Sequence, residues 1–142
     1  MAKNRTGRKR PAVVRRNSIP EPSSPRDTNE EHPVFCFQYL QSGFAVTDLP
    51  QHLQAKLALR LAEIAQHKWK ECELTNKHSQ FGIEHLDAGA IKPASIATFS
   101  DVRKFVVFRY TGDNRPMIGM RVGNVFHLLW IEKDFGQVYD HG

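Results

Sequence analysis

The C-terminal end of the sequence combines three side chains whose types suit proton transfer and RNA binding. They are Tyr139, Asp140 and His141. A histidine exchanges a proton near neutral pH, a carboxylate can accept one, and a tyrosine ring can stack on a nucleobase. These residues follow a predicted strand without a polar spacer, so we expect the sheet to hold them in place. The alternative is a frayed terminus, where disorder usually concentrates.

Two arginines lie in predicted strands of the C-terminal third of the chain. The Gly-Asn dipeptide at residues 123–124 is typical of a two-residue hairpin turn, and Arg121 lies in the strand before it. If the preceding hairpin pairs Tyr110 with Pro116, Arg109 and Arg121 lie on one face of the sheet. A slip of one residue would separate them, and the four-residue turn does not fix the register.

Two neighbouring guanidinium groups repel each other unless an anion lies between them. Phosphate is the natural anion because its oxygens match the arginine fork. The pair therefore indicates a phosphate-binding site. The alternative for each arginine is an ion pair at the margin of the sheet. The candidate carboxylates are those of Asp101, Asp113 and Glu132.

A long irregular stretch at residues 75–101 carries further side chains that could perform acid–base chemistry. They are Lys77, His78, Glu84 and His85. A loop this long inside a compact domain usually has a function, which makes Glu84 a candidate catalytic carboxylate. A metal site formed by His78, Glu84, His85 and His127 is the alternative. Their spacing matches no zinc motif, so we expect no metal and no cofactor.

Hydrophobic periodicity predicts the elements that must position these residues. Alternating apolar residues predict strands at 34–41, 104–110, 117–122 and 125–133. Apolar residues at helical spacing, with Asp48 as N-cap, predict a helix to about residue 69 and a short second helix at 69–74. A short return strand follows at 137–139.

Strands segregated from helices in this way predict an α+β fold. Its elements would be an N-terminal strand, one or two helices, a long loop, and a C-terminal antiparallel meander of three to four strands. The strands would form one sheet, with the helix packed on one of its faces.

Charge and proline content divide the chain into two parts. Of its 142 residues, the first 33 hold eight of the 20 lysines and arginines, four of the 15 acidic residues and five of the eight prolines. Such a segment buries too little apolar surface to offset the entropy cost of ordering. We therefore predict a disordered, basic, Pro/Ser-rich tail at 1–33, which either contacts phosphates or only increases solubility. Residues 34–142 would form a single α+β domain.

Composition also excludes several classes of protein. No apolar run reaches the ~18 residues needed to cross a membrane, and the charged N-terminus lacks the apolar core of a secretory signal. The two cysteines, Cys36 and Cys72, do not form a disulfide framework. We therefore expect a cytoplasmic protein with no membrane partner. No P-loop or Gly-x-Ser-x-Gly motif is present, which argues against nucleotide hydrolysis and serine-hydrolase chemistry.

The domain resembles the RelE/ParE superfamily of toxins from bacterial type II toxin–antitoxin modules. The resemblance lies in the order of elements and in the segment FRYTGDNRPMIGMRVGNVFHLLWIEKDFGQVYDHG. The hairpin at 121–131 is similar to the central strands of that family, and the closing Tyr-Asp-His is similar to the end of its HigB and YoeB branch. The resemblance spans residues 34–142.

Many members of that family cut messenger RNA on the ribosome. A base removes the proton of a ribose 2′-hydroxyl, whose oxygen attacks the adjacent phosphate, and an acid protonates the leaving 5′-oxygen. The resemblance implies that Arg109 and Arg121 hold the phosphate. It also implies that His141 is the acid and that Asp140 or Glu84 is the base.

The same resemblance implies that Tyr139 stacks on or orients a base. It implies RNA or the ribosome, and a cognate antitoxin protein, as partners. The alternative is a non-catalytic module that binds nucleic acid or protein, such as a ParE-like protein or a phage or mobile-element accessory protein. The two hypotheses differ in whether Arg109, Arg121, Tyr139 and His141 converge in one concave site.

Overall fold

A mixed five-stranded sheet organises the fold. The computed structural model describes residues 27–77, 79–96, 99 and 101–140. The strands are β1 (Val34–Cys36), β2 (Ile83–Asp87), β3 (Lys104–Arg109), β4 (Pro116–Val122) and β5 (Val125–Ile131). Their order is β1-β5-β4-β3-β2, with β1 parallel to β5 and all other neighbours antiparallel. The predicted α+β class and C-terminal meander are confirmed.

The helices are α1 (Gln51–Ile64), α2 (Trp69–Leu74) and the short α3 (Pro93–Ile96). α1 and α2 pack on one face of the sheet, as predicted, and α2 matches the predicted second helix. The first helix ends at residue 64 rather than at about 69, because a turn at 65–68 separates it from α2.

The two ends of α1 show why its bounds differ from the prediction. Pro50 is the N-cap residue. The side chain of Asp48 instead accepts a hydrogen bond from the backbone N–H of Ala45 and closes a preceding 3-10 turn. The apolar spacing was informative nonetheless, since Leu53 and Leu57 are buried.

The sheet buries apolar side chains on both faces. The face covered by α1 and α2 is called the helix face below. The core cluster on this side includes Leu57, Trp69, Phe108, Met117, Phe126 and Leu128. The opposite face, called the loop face, is covered by chain segments that follow β2 and β5, and it includes Leu86, Phe105, Val107, Ile118, Trp130 and Tyr139. β5 contributes to both clusters, as expected for a central strand.

The hairpin of β4 and β5 has the predicted two-residue turn. Gly123 has a φ of 64°, which suits such a turn. Farther from the turn, a β-bulge interrupts the pairing of β4 with β5 between positions Ile118 and Gly119. Because of this bulge, Leu128 packs on the helix face and Trp130 on the loop face.

The stretch at 75–101, predicted to be an irregular loop, contains β2 at the edge of the sheet. Its pairing with β3 runs from Ile83 opposite Phe108 to Asp87 opposite Lys104. The prediction was wrong here because β2 is short and carries polar residues on both faces, so that pairing with β3 decides its structure. The predicted return strand is reduced to an isolated bridge between Tyr139 and Ile91.

β1 ends at Cys36, although the alternating pattern predicts a strand to residue 41. A turn at residues 38–39 interrupts the alternation. As a result Phe35 packs on the helix face and Tyr39 on the loop face, where continued alternation would have placed both on one face.

Residues 27–33, which the sequence assigns to the tail, contact the domain. The backbone N–H groups of Trp69 and Lys70, at the start of α2, donate to carbonyl oxygens in this segment. The prediction of a disordered tail at 1–26 lies outside the described residues.

Candidate functional site

An open cleft of about 400 Å³ lies on the loop face, at the end of the sheet where β2 begins and β3 ends. Four of the predicted site residues line it together: Glu84, Arg109, Tyr139 and Asp140. They come from β2, from β3 and from the chain after β5. The fold therefore brings three distant parts of the sequence to one concave surface.

Arg109 and Glu84 form an ion pair in this cleft. The Nη2 atom of Arg109 lies 2.7 Å from Oε1 of Glu84. Only 6% of the Arg109 side chain and 21% of the Glu84 side chain are exposed. Nε and Nη1 of Arg109 are buried and make no hydrogen bond among the described residues. Arg109 therefore has N–H donors that its ion pair with Glu84 does not use.

The carboxyl of Glu84 is held in its ionised form. Burial alone would raise its pKa, but the hydrogen bond and charge of Arg109, together with the charge of Lys77, outweigh burial and leave the pKa below its usual value. The Nζ atom of Lys77 lies 3.5 Å from Oε2 of Glu84. A carboxylate with a lowered pKa is a weak base, so Glu84 is better suited to hold Arg109 than to take a proton.

The buried carboxylate of Glu132 fixes the segment that carries Tyr139 and Asp140. It accepts hydrogen bonds from the backbone N–H groups of Gly136 (3.2 Å), Val138 (2.8 Å) and Tyr139 (3.4 Å). Glu132 is fully buried, where a carboxylate needs such donors to offset the loss of water. It is a positioning residue for this wall of the cleft.

The ring of Tyr139 is buried in the wall of the cleft, and little of it reaches the open surface. Tyr139 is 3% exposed and packs in the loop-face cluster. Burial raises the pKa of its hydroxyl to about 12, and the charge of Arg109 lowers it only in part. The hydroxyl therefore keeps its proton at neutral pH, and the ring can orient a bound group rather than offer a free face for stacking.

Asp140 is the exposed carboxylate of the cleft. Its side chain is 89% exposed, and its Oδ1 lies 3.3 Å from Nζ of Lys92. The ammonium group of Lys92 also donates to the carbonyl oxygen of Gly136, at 2.5 Å. A carboxylate that solvent reaches, close to ammonium and guanidinium groups, can take a proton beside a bound anion.

Arg121 lies outside the cleft, on the helix face and at the opposite end of β4. Its guanidinium carbon is 4.2 Å from the centre of the Trp69 ring. Its Nη2 donates to Oγ1 of Thr28 and Oδ1 of Asn29, each at 2.9 Å. Its Nη1 lies 3.6 Å from Glu73. Arg121 therefore fastens the N-terminal segment to α2.

The expectation that Arg109 and Arg121 share one face is wrong because the β3–β4 register differs by one residue. Arg109, and not Tyr110, pairs with Pro116. Side chains alternate between the faces of a strand, so a shift of one residue reverses the face. The carboxylates that pair with the two arginines also differ from the three candidates that the sequence suggested.

Of the histidines singled out from the sequence, the two that the structure describes, His85 and His127, do not line the cleft. His141 and His78 lie outside the described residues. The Nε2 atom of His85 lies 2.7 Å from Oε1 of Glu73, on the helix face. His127 is buried, which lowers its pKa. Within the described ranges, no group of three or more His, Cys, Asp or Glu side chains could hold a metal ion.

Sequence reasoning missed the positioning role of Glu132 and also missed Phe135. Phe135 is 47% exposed and lines the cleft. An aromatic residue within the polar turn sequence KDFG is the signal that was available for it. Glu132 gave no such signal, because the burial of a carboxylate becomes visible only in three dimensions.

Comparison of the chain with protein-family models, with curated proteins and with solved structures gives no match. In the part of the chain that the structure describes, no helix combines the length and the apolar composition needed to cross a membrane. The fold and the site together define an α+β protein with a charged cleft at one end of its sheet.

Proposed function

We propose that this protein is a toxin-like endoribonuclease that cleaves messenger RNA in the cleft. The observation that carries the proposal is the convergence of Glu84, Arg109, Tyr139 and Asp140 on one concave surface. The RelE/ParE resemblance implies a role for each of them. Of the four residues whose convergence separates the two hypotheses, Arg109 and Tyr139 line the cleft, Arg121 lies at the other end of the sheet, and His141 lies outside the described residues.

In the proposed reaction, the carboxylate of Asp140 takes the proton of a ribose 2′-hydroxyl. The 2′-oxygen forms a bond to phosphorus, and the bond from phosphorus to the 5′-oxygen breaks. His141 donates a proton to that leaving oxygen. The products are a 2′,3′-cyclic phosphate and a 5′-hydroxyl end, and no metal ion takes part.

Charge supports this assignment of roles. Arg109 and Lys77 line the cleft and would stabilise the negative charge that develops on the phosphate oxygens. Glu84 keeps the guanidinium of Arg109 in place through a 2.7 Å hydrogen bond. We assign the base to Asp140 because solvent reaches its carboxylate, whereas the carboxylate of Glu84 is engaged with Arg109.

The proposed partners follow from the same resemblance. Messenger RNA, free or on the ribosome, is the substrate, and a cognate antitoxin protein neutralises the activity. Expression of the chain alone should therefore arrest bacterial growth, and the arrest should require the residues of the cleft.

The test measures RNA cleavage and growth arrest for Asp140→Asn and His141→Ala. Asp87→Asn is a matched control, because Asp87 is also an exposed carboxylate paired with a lysine, Lys104 at 3.0 Å, and it does not line the cleft. We expect the two site variants to lose cleavage and arrest, with the control unchanged. Equal folded yield must be shown for every variant.

The chemistry of the products gives a second readout. RNA with a 2′-deoxy sugar at the cleaved position should resist cleavage. With normal RNA, the 3′ end of the product should carry a 2′,3′-cyclic phosphate. Cleavage of the deoxy-substituted RNA, or full activity of Asp140→Asn, would show that the proposed reaction is incorrect.

A binding module without catalysis is the second candidate. The observation that favours it is the ion pair itself, since Glu84 neutralises Arg109 in the unbound protein. This candidate predicts that the wild type binds RNA without cleaving it, and that Asp140→Asn binds RNA as tightly as the wild type.

A further inference from the structure

Helix α1 has a second apolar face besides the one that packs on the sheet. Its core face contains Leu53, Leu57 and Ile64, which are buried. A surface helix normally carries polar residues on the side opposite its core face. In α1 that side, called the outer face below, instead consists of four exposed apolar residues: Ala55, Ala58, Leu59 and Ala62.

Leu59 is the large residue of the outer face, and 72% of it is exposed. Residues three and four positions apart are neighbours on a helix, so Ala55 and Ala62 flank Leu59 along the outer face. A single exposed leucine is ordinary, but this one lies in a continuous apolar strip. The alanines would let another helix approach closely and would leave space beside them for its larger side chains. The outer face therefore has the shape of a helix-packing surface.

The outer face is complementary to itself when two copies of α1 lie antiparallel. A two-fold axis between positions 58 and 59 places Ala58 of one copy opposite Leu59 of the other. The same axis places Ala55 opposite Ala62. Each contact then occurs twice, as in any interface formed by the same surface of two subunits. A second copy of this chain is thus sufficient to cover every residue of the outer face.

The same register brings opposite charges together. Lys56 is exposed and Glu63 is partly exposed, and both lie on one flank of the outer face. With a rise of 1.5 Å per residue, Lys56 of one copy and Glu63 of the other would differ by only about 3 Å along the axis. Arg60 steadies the Glu63 carboxylate, since its Nε lies 3.3 Å from Oε1 of Glu63. The apolar residues and the charges therefore favour the same antiparallel arrangement.

We propose that α1 is a dimerisation helix, and that two copies of this chain associate through antiparallel packing of their outer faces. One pair of helices buries less surface than the ~1,600 Å² of a standard interface, so the dimer is weak and dissociates on dilution. The occupant of the outer face is a second copy because the chain supplies both the complementary shape and the complementary charge. This inference does not depend on the proposed function.

The first test is sedimentation of the full chain between about 5 and about 500 µM, at about 0.15 M salt. We expect a mass near 16.3 kDa at the lowest concentration and an approach to twice that mass at the highest. Leu59→Glu should weaken association by about thirtyfold or more. The control is Leu74→Glu, because Leu74 is an 85% exposed leucine on α2, and it should associate as the wild type does.

Exchange of the two charges tests the register. Lys56→Glu and Glu63→Lys each place like charges opposite one another, so each variant alone should associate about tenfold more weakly. An equimolar mixture of the two variants should recover the association of the wild type, because a mixed dimer again pairs opposite charges at both positions. Urea denaturation must show that each variant is folded, since Glu63→Lys also loses the contact with Arg60.

Disulfide formation tests which parts of the two helices meet. In a Cys36→Ser background, Ala58→Cys lies beside the proposed axis and should form a disulfide between two copies under oxidising conditions. Gln51→Cys is the control, because the two copies of this exposed position would be about 22 Å apart along the axis.

Three outcomes would overturn the proposal. The first is a monomer at every concentration, which would show that a second copy does not cover the outer face. The second is a dimer that Leu59→Glu leaves unchanged, because its interface must then lie elsewhere. The third is a mixture of the charge variants that associates no better than either variant alone, which would contradict the antiparallel pairing of Lys56 with Glu63.

Discussion

Arg109 and Arg121 lie on opposite faces of the same sheet and near opposite ends of it. Arg109 pairs with Glu84 in the cleft, and Arg121 lies over Trp69 on the helix face. The two arginines therefore have separate roles, one at the candidate site and one in holding the N-terminal segment to the domain. Measurements of stability and of RNA cleavage can distinguish these two roles.

Replacement of Arg121 should reduce stability and leave the chemistry of the cleft intact. Arg121→Met loses the contact with Trp69 and two hydrogen bonds to residues 28–29, so we expect a loss of about 2 kcal/mol in the free energy of unfolding. RNA cleavage per folded molecule should not change. Urea denaturation and a cleavage assay measure the two quantities, and Arg103→Met, at an exposed position, is the control.

The ion pair of Arg109 and Glu84 should make stability depend on pH at acidic values. The folded state lowers the pKa of Glu84 below 4.5, so the stabilisation is complete above that pH and is lost as the pH falls through the folded-state pKa. Glu84→Gln should be less stable than the wild type at pH 7, and the difference should shrink in acid. Urea denaturation of both proteins at several pH values measures the difference in the free energy of unfolding.

The coupling between the two side chains can be measured separately. A double-mutant cycle with Arg109→Met and Glu84→Gln should give an interaction free energy of about 1–3 kcal/mol at neutral pH. Additive effects would show that the pair contributes nothing beyond its separate members.

Glu132 should be among the most important residues for the stability of the cleft. Glu132→Ala leaves three backbone N–H groups, two of them buried, without their side-chain acceptor, so we expect a loss of about 3–5 kcal/mol. Glu132→Gln keeps one side-chain oxygen and should lose less. Asp134→Asn, at an exposed position in the same loop, should stay within about 0.5 kcal/mol of the wild type.

The β-bulge between β4 and β5 should require glycine at position 119. A Cβ atom there would lie 2.0 Å from the carbonyl oxygen of His127, which is backbone and cannot move away alone. We expect Gly119→Ala to lose about 1–3 kcal/mol or more, seen as a lower melting temperature. At Gly89 a Cβ atom meets nothing within 4 Å, so Gly89→Ala should be nearly neutral.

The two cysteines should differ in reactivity. Cys72 is fully buried, and burial together with Glu71 and Glu73 raises the pKa of its thiol to about 12. A thiol reagent at mildly alkaline pH should therefore label the native protein only at the partly exposed Cys36. Denaturation should expose the second thiol, and native Cys36→Ser should take up no label.

The elements with strong local signals were predicted well from sequence. The turn at 123–124, the two long strands around it and the buried spacing of α1 each follow from a few neighbouring residues. β2 was missed because its structure depends on pairing with β3, about 20 positions later in the chain. Local patterns do not contain that information.

The candidate site was predicted in part for the same reason. Glu84 and Asp140 carry carboxylates, which are candidate catalytic groups in any sequence, and the fold brings them together. Arg109 was assigned to the same face as Arg121 because the turn between β3 and β4 does not fix their register, and a shift of one residue reverses the face. Glu132 was considered only as a partner for an arginine, since its burial depends on how the chain after β5 folds back.

The parallel pairing of β1 with β5 has a consequence for synthesis of the protein. Val34 is made early and Val125 late, yet the two lie side by side. β5, which is synthesised after the other four strands of this sheet, therefore lies between β1 on one side and β4 on the other. Tyr139 and Asp140 follow still later. A nascent chain has no assembled cleft, and whatever the cleft does can begin only after translation of the whole domain is complete.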